Sequence, residues 1–121
     1  MGIEQIIRIA PGHGTSVVPD PADYASVSPG WKEVEHRGPR PLDSLIGFWE
    51  GEPGSVALRP WPYPELCILL SGRVALVDED GQRAEFGAGE AFFVPPSFSG
   101  TWETLEPTTK VFVGFGALAG T

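Results

Sequence analysis

Residues 65–77 read ELCILLSGRVALV, and this stretch predicts the β-hairpin around which the fold is built. Two apolar runs flank the dipeptide Ser71-Gly72, whose glycine suits a two-residue hairpin turn. The first run is apolar at successive positions, so we expect its strand to be packed on both faces. Glu65 opens that strand, and a carboxylate there is costly unless a cation, a metal or several donors meet it. Glu65 is therefore the first candidate site residue.

The composition narrows the class of protein. A chain of 121 residues is long enough for one domain with its own core. The 8 Lys and Arg against 16 Asp and Glu give a net charge of −8, which argues against nucleic acid as a partner. The single cysteine excludes an intrachain disulfide. Because the sequence has neither a secretory leader nor an apolar run of membrane length, we expect a soluble, cytoplasmic protein without a membrane partner.

Short strands joined by turns account for the 16 glycines and 13 prolines, which lie between apolar runs. Besides the central hairpin, strands are predicted at 44–50, 55–59, 82–86, 91–94, 100–105 and 109–115. The first two of these form a second predicted hairpin around the turn at 51–54. No window shows a sustained helical period, so the pattern predicts an antiparallel sandwich or barrel.

The first third of the chain has a different character. Residues 1–41 are rich in proline, and we predict a surface arm there, followed by a β-barrel domain at 42–121. One turn of helix is predicted at 21–24. A strand is predicted at 3–9, and such a strand needs a partner in the main sheet or in another subunit. This need predicts a homodimer.

The segment 59–65, RPWPYPE, carries the first group of candidate site residues. Its prolines hold the residues before them in extended geometry. Continued alternation would then place Arg59, Trp61, Tyr63 and Glu65 on one side, as a wall of a ligand pocket. Arg59 would grip the anionic end of a ligand, or pair with Glu65 when the pocket is empty. The alternative is a stiffened strand edge whose aromatic rings belong to the core.

Three more residues complete the predicted site. Cys67 shares a face with Glu65, although a small buried hydrophobe is a better interpretation of it than a nucleophile. Lys110 lies at the start of the last predicted strand. It could reach the cavity as an acid, a base or a partner for Glu65, and the alternative is a solvated lysine at a strand end. Trp102 is assigned to the cavity rim, whereas Trp49 is assigned to the core. The candidate catalytic residues are Glu65 and Lys110, and the candidate ligand-binding residues are Arg59, Trp61, Tyr63, Cys67 and Trp102.

Two spacings now carry a family resemblance. Glu65 followed after six residues by Gly72, and Gly89 followed after five by Pro95, resemble the two motifs of the cupins, which are double-sheet jelly rolls. The likeness extends over about 42–115. It implies an all-β fold, a cupin-type antiparallel jelly-roll barrel, here with an N-terminal arm.

The same resemblance bears on metal binding. Cupins usually hold a divalent metal with two histidines two residues apart, the glutamate and a third histidine. The matching positions here are about Arg59, Trp61 and near Gly100, which leaves Glu65 alone. The only histidines, His13 and His36, fall in the predicted arm, where no second ligand stands at a chelating spacing. We therefore expect no metal site and no cofactor.

A narrower likeness involves Gly89-Glu90, residues 95–103 and Lys110. These are similar to small cupins grouped with ureidoglycine aminohydrolase and the ethanolamine-utilisation cupin, many of which lack the histidines. The first hypothesis is a protein that binds a small polar or carboxylated molecule in its barrel. The second is an enzyme of small nitrogenous or carboxylic metabolites, ureidoglycine aminohydrolase-like, with Glu65 as acid or base. The third is a structural or partner-binding dimer.

Overall fold

The computed structural model describes residues 2–38 and 44–115. Eleven strands account for most of the regular structure. In chain order they are β1 (Thr15–Val17), β2 (Ser26–Val27), β3 (Glu33–Arg37), β4 (Leu45–Gly51), β5 (Gly54–Leu58), β6 (Glu65–Ser71), β7 (Arg73–Asp78), β8 (Arg83–Gly87), β9 (Ala91–Val94), β10 (Gly100–Thr104) and β11 (Thr108–Gly114). Two short 3₁₀ helices lie at Ile3–Gln5 and Pro21–Asp23.

The strands form two antiparallel sheets. The six-stranded sheet has the order β1-β3-β4-β11-β6-β9, and the five-stranded sheet has the order β2-β5-β10-β7-β8. Successive strands alternate between the two sheets over much of the chain, as in a jelly roll. The predicted all-β jelly-roll fold is confirmed. Within the described residues, no helix is long and apolar enough to cross a membrane.

The two predicted hairpins are corners between the sheets. β6 ends at Ser71 and β7 begins at Arg73, as the turn signal predicted, but the two strands belong to different sheets. Gly72 makes this corner with a φ of 86°, and a Cβ there would collide with the Thr108 hydroxyl. β4 and β5 are likewise in different sheets. The hairpin pairing predicted at both places is therefore wrong, because a tight turn between apolar runs does not specify the sheet of either strand.

The strand β6 is packed on one face only. Glu65, Cys67 and Leu69 point inward and are buried, whereas Ile68 and Leu70 on the outer face are exposed. The prediction of a strand packed on both faces is therefore wrong for the single chain.

Three short strands of the segment that was predicted to be a surface arm belong to the sheets. β1 and β3 extend the six-stranded sheet, and β2 extends the five-stranded one. The predicted helical turn is confirmed, and the Asp20 side chain caps it by accepting a hydrogen bond from the backbone N–H of Ala22 at 2.9 Å. The strand predicted at 3–9 is wrong, since Ile3–Gln5 forms a 3₁₀ helix. The predicted boundary at 41/42 lies outside the described residues.

The hydrophobic core lies between the sheets. Its buried members are Leu45, Trp49, Val56, Leu58, Trp61, Cys67, Leu69, Val74, Val94, Trp102 and Phe112. Three tryptophans among them contact one another around Trp102, whose ring centroid lies 5.5 Å from that of Trp49 and 6.5 Å from that of Trp61. A cavity lies beside these three rings, all of which line it.

Candidate functional site

A cavity of about 410 Å³ lies between the sheets. Its aromatic lining residues are Tyr24, Trp31, Trp49, Trp61, Tyr63, Trp102 and Phe112. Its charged lining residues are Asp23, Glu33, Glu35, Arg37, Glu65 and Lys110, and Pro19, Val56, Leu58 and Pro62 complete the wall. We call the buried group Trp49, Glu65, Trp102 and Lys110 the floor, and the more exposed group Asp23, Tyr24, Trp31 and Glu33 the mouth.

The floor is built around an ion pair between two neighbouring strands. Glu65 opens β6 and Lys110 lies on β11, and both side chains point inward. The Lys110 Nζ donates to Glu65 Oε2 at 2.8 Å, and each side chain is less than 10% exposed, at 7% and 8%. The indole N–H of Trp61 donates to Glu65 Oε1 at 3.0 Å, and the Cys67 thiol donates to Oε2 at 3.2 Å. Three donors therefore meet the buried carboxylate, as the cost of burial requires.

The environment of the floor sets its protonation. Burial alone would raise the pKa of Glu65, but the Lys110 ammonium and the donors from Trp61 and Cys67 outweigh it and hold that pKa below the usual value. Burial would lower the pKa of Lys110, yet its contacts with Cys67 and Glu65 raise it above normal. Both groups are consequently charged near neutral pH. Burial raises the pKa of the Cys67 thiol, which stays protonated and is a poor nucleophile.

Aromatic rings surround the Lys110 ammonium. Its Nζ lies 4.1 Å from the ring centroid of Trp102 and 5.1 Å from that of Trp49. The negative face of an aromatic ring attracts a cation at such distances. The charge of Glu65, the hydrogen bonds and the aromatic rings together stabilise the Lys110 ammonium in the floor.

Glu33 organises the mouth. Its Oε2 accepts from the Tyr24 hydroxyl at 2.6 Å and from the Trp31 indole N–H at 2.6 Å, and its Oε1 accepts from the Trp49 indole N–H at 2.8 Å. All three donors are uncharged. Glu33 is therefore a carboxylate fixed in place by neutral groups.

A second carboxylate of β3 lies further along the same wall. Glu35 is buried and accepts from Arg37 Nε at 2.7 Å. Burial raises the pKa of Glu35, although Arg37 partly offsets that effect. The strand therefore lines the cavity with two carboxylates and one guanidinium, since Glu33, Glu35 and Arg37 alternate with outward residues.

Most of the predicted site residues meet in this cavity, and two do not line it. Trp61, Tyr63, Glu65, Trp102 and Lys110 line the wall. Trp102 is only 3% exposed and belongs to the interior, so its placement at the rim was wrong. Cys67 lies behind Glu65, fully buried.

Arg59 is the clear correction. It is exposed and does not line the cavity. Arg59 follows β5, which ends at Leu58, and its side chain is exposed, whereas Trp61 and Tyr63 further along line the cavity. The expected Arg59–Glu65 pair is wrong, because Lys110 takes that position.

The functional side chains that the sequence analysis missed are those of the mouth and β3. Tyr24, Trp31, Glu33, Glu35 and Arg37 all fall in the segment interpreted as a surface arm. One signal was present: the charged residues at 33, 35 and 37 alternate as in a strand. Alternation alone does not show which face is buried.

The residues present do not fit a divalent metal. Within residues 2–38 and 44–115, no group of three or more His, Cys, Asp or Glu side chains could hold an ion. At the predicted second histidine position, the indole of Trp61 donates to Glu65. His36 lies outside the cavity lining, where it bonds Glu50 at 2.8 Å, and His13 is exposed. The Lys110 ammonium therefore neutralises the carboxylate of Glu65, the one residue that matches a cupin metal ligand.

Two antiparallel sheets enclosing a polar, aromatic cavity define a small cupin-type jelly roll. A family model described as the EutQ-like cupin domain matches residues 43–112, which is more than half of the chain. The chain belongs to this family. The resemblance to the ethanolamine-utilisation branch of small cupins is thus confirmed.

Solved structures support the fold. The EutQ protein of Clostridium difficile matches with a TM-score of 0.62 and 14% identity, over 71% of this chain and 64% of that one. A putative ethanolamine utilization protein from Salmonella typhimurium matches with a TM-score of 0.63 and 19% identity, over 71% of each chain. A DUF861-family protein of unknown function from Pseudomonas syringae matches with a TM-score of 0.68 and 25% identity, over 80% of this chain and 41% of that one.

These matches limit what can be transferred. The chain spans slightly less than two thirds of the Clostridium difficile EutQ, at 64%, and the first two identities are low enough to show the fold alone. No curated protein matches the sequence significantly.

Proposed function

We propose that this protein binds a small polar or carboxylated molecule in the cavity between its sheets. The observation that carries the proposal is the cavity itself. Its volume of about 410 Å³ falls within the range of roughly 300–1,000 Å³ that is usual for ligand pockets. Its wall combines aromatic surface with a few fixed polar groups, which is the usual composition of such pockets.

Two side chains offer hydrogen bonds to a ligand. Arg37 donates to Glu35 through Nε, and its terminal nitrogens make no other hydrogen bond to the described residues. A guanidinium edge of this kind suits a carboxylate or carbonyl group. The Tyr63 hydroxyl also has no partner in the described part of the chain, and burial raises its pKa, so it is a neutral donor.

An enzyme is the second candidate. The observation in its favour is that Glu65 and Lys110, the two residues predicted to be catalytic, meet in the cavity. Their pairing keeps Glu65 ionised and Lys110 protonated near neutral pH, whereas acid–base catalysis favours a pKa near the working pH. Catalysis by Glu65 would therefore require a substrate that separates the pair. A purely structural dimer has less support, because side chains do not fill the barrel.

The binding proposal is tested by a thermal-shift and calorimetric screen of small carboxylates, ureido acids, alcohols and amines. Compounds that bind should lose about tenfold in affinity, or ~1.4 kcal/mol, in Tyr63→Phe and Arg37→Gln. Arg59→Gln is the matched control, since its guanidinium is exposed and outside the cavity. Binding of carboxylates or ureido acids that is insensitive to both cavity variants, or the absence of any binding compound, would contradict the proposal.

A further inference from the structure

Building on the proposed function, we infer that the mouth of the cavity binds an organic cation of the amine or quaternary ammonium class. Glu33 supplies the negative charge, and the rings of Tyr24, Trp31 and Trp49 supply the surrounding surface. The ligand of the binding protein would accordingly carry a positive charge at this end.

The charge balance of the wall favours a cation. Four carboxylates face two cations across the cavity, and Lys110 and Arg37 are already paired with Glu65 and Glu35. Glu33 and Asp23 remain, and neither makes a salt bridge within residues 2–38 and 44–115. A cationic ligand would compensate them, and the attraction should be stronger at the half-buried Glu33 than at the exposed Asp23.

The orientation of the tryptophans favours the same ligand. Both indole N–H groups that reach Glu33, from Trp31 and Trp49, are consumed by its carboxylate. These indoles consequently have no hydrogen-bond donor left for a ligand, so a ligand can contact only their ring surface. Their ring centroids are 6.5 Å apart with planes tilted by 34°, and Trp31 is the more exposed of the two. Both rings line the cavity, and aromatic surface beside a carboxylate suits an ammonium group.

The protein already uses this wall for an ammonium ion. Trp49 contributes to the mouth through Glu33 and to the floor through Lys110, whose Nζ lies 5.1 Å from its ring centroid. Because Glu65 neutralises Lys110, a second cation at the mouth would not face an uncompensated charge. A simple anion at the same place would face both Glu33 and Asp23. A ligand with an ammonium group at one end can still reach Arg37 with a carboxylate or hydroxyl at the other.

The test compares three probes by calorimetry at low ionic strength. They are choline, its uncharged isostere 3,3-dimethylbutan-1-ol, and propionate. We expect choline to bind at least tenfold more tightly than the isostere, and its affinity to fall with added salt. Equal affinity for choline and the isostere, or binding of propionate alone, would overturn the inference.

Charge variants locate the effect. Glu33→Gln should weaken choline binding at least tenfold, and Asp23→Asn should weaken it severalfold. Glu106→Gln is the control, an exposed carboxylate that does not line the cavity. Glu33→Gln also disturbs hydrogen bonds from Tyr24 and Trp31 and could prevent folding. In that case Asp23→Asn decides the question, because the Asp23 side chain is exposed and its loss should leave the fold intact. Choline binding that is unchanged in Asp23→Asn would contradict the inference.

The outcomes separate this inference from the broader proposal. Binding of carboxylates or alcohols that depends on Tyr63 and Arg37, without binding of choline, would refute the cationic ligand and retain the binding function. The failure of every compound in both screens would refute both.

Discussion

The Lys110 ammonium lies 2.8 Å from the Glu65 carboxylate, and both groups are buried between the two sheets. A buried ion pair is not in itself a source of net stability, because both charges lose their hydration. Removing one partner is different, since it strands the other charge without water or a counterion. The pair therefore makes each of the two residues depend on the other.

The first prediction concerns the free energy of unfolding. Lys110→Met should lower it by about 3–5 kcal/mol, because Glu65 would remain buried without its cation. The double variant Lys110→Met with Glu65→Gln should lose less than the sum of the single changes. Urea unfolding at pH 7 measures all of these values.

An exposed pair provides the control for that measurement. Arg83 and Glu103 form a salt bridge with both side chains substantially exposed, at 40% and 32%. Arg83→Met should lower the free energy of unfolding far less than Lys110→Met, because exposed pairs contribute little. Equal costs for Arg83→Met and Lys110→Met would contradict the interpretation of the floor.

The second prediction concerns the pH dependence of stability. The pKa of Glu65 is lower in the folded state than normal, so its contribution is present above the ordinary value of about 4.3 and is lost as pH falls through the folded pKa. The pKa of Lys110 is raised, so its contribution is present below about 10.4 and is lost as pH rises through the folded pKa. The stability of the wild type relative to the double variant Lys110→Met with Glu65→Gln should therefore be highest in the interval between these two values.

Thermal unfolding from pH 3 to pH 11 checks this expectation, and the range itself is set by the ordinary pKa values of about 4.3 and 10.4. The difference in Tm between the wild type and the double variant isolates the pair from other groups, such as Glu35. The Tm of the wild type minus that of the double variant should fall towards both ends of the range. A constant difference would show that the pair does not carry the pH dependence.

The sequence identified the floor of the cavity because a charged residue inside an apolar strand is a local signal. Glu65 opens a run of apolar residues, and Lys110 stands between Thr109 and Val111 in the last strand. Trp61 and Tyr63 were found through the spacing of the prolines. Arg59 was misplaced because the alternation was carried across the end of β5, where the chain leaves the strand.

The mouth could not be predicted, because its burial depends on contacts distant in sequence. β3 is half-buried only since it pairs with β4, which turns Glu33 and Glu35 towards Trp49. A strand of alternating charges has the same local pattern whether its charged face meets solvent or a cavity. The sheet assignments of β6 and β7 depend in the same way on their partners β11 and β10.

The third prediction concerns metal content. Protein purified without chelators should contain well under one transition metal per chain, because Glu65 is saturated by donors from Lys110, Trp61 and Cys67. Elemental analysis by mass spectrometry measures the content. Stoichiometric metal that disappears in Glu65→Gln and persists in a His36→Asn control would refute this expectation.

The last prediction retains the homodimer and gives it a different surface. The homodimer was predicted because a strand at 3–9 would need a partner, and that segment is not a strand. The outward positions of β6, β9 and β11 carry no charged side chain, and Ile68, Leu70 and Phe93 are exposed there, at 37%, 51% and 54%. We propose that a second copy covers this apolar sheet face, because the same uncharged surface on both copies can pair about a twofold axis.

Light scattering at micromolar concentration should give the mass of a dimer, and Leu70→Lys should shift it towards the monomer. Leu105→Lys, at an exposed leucine outside those three strands, should leave the mass unchanged. A monomeric wild type, or equal dissociation by both variants, would rule out this interface.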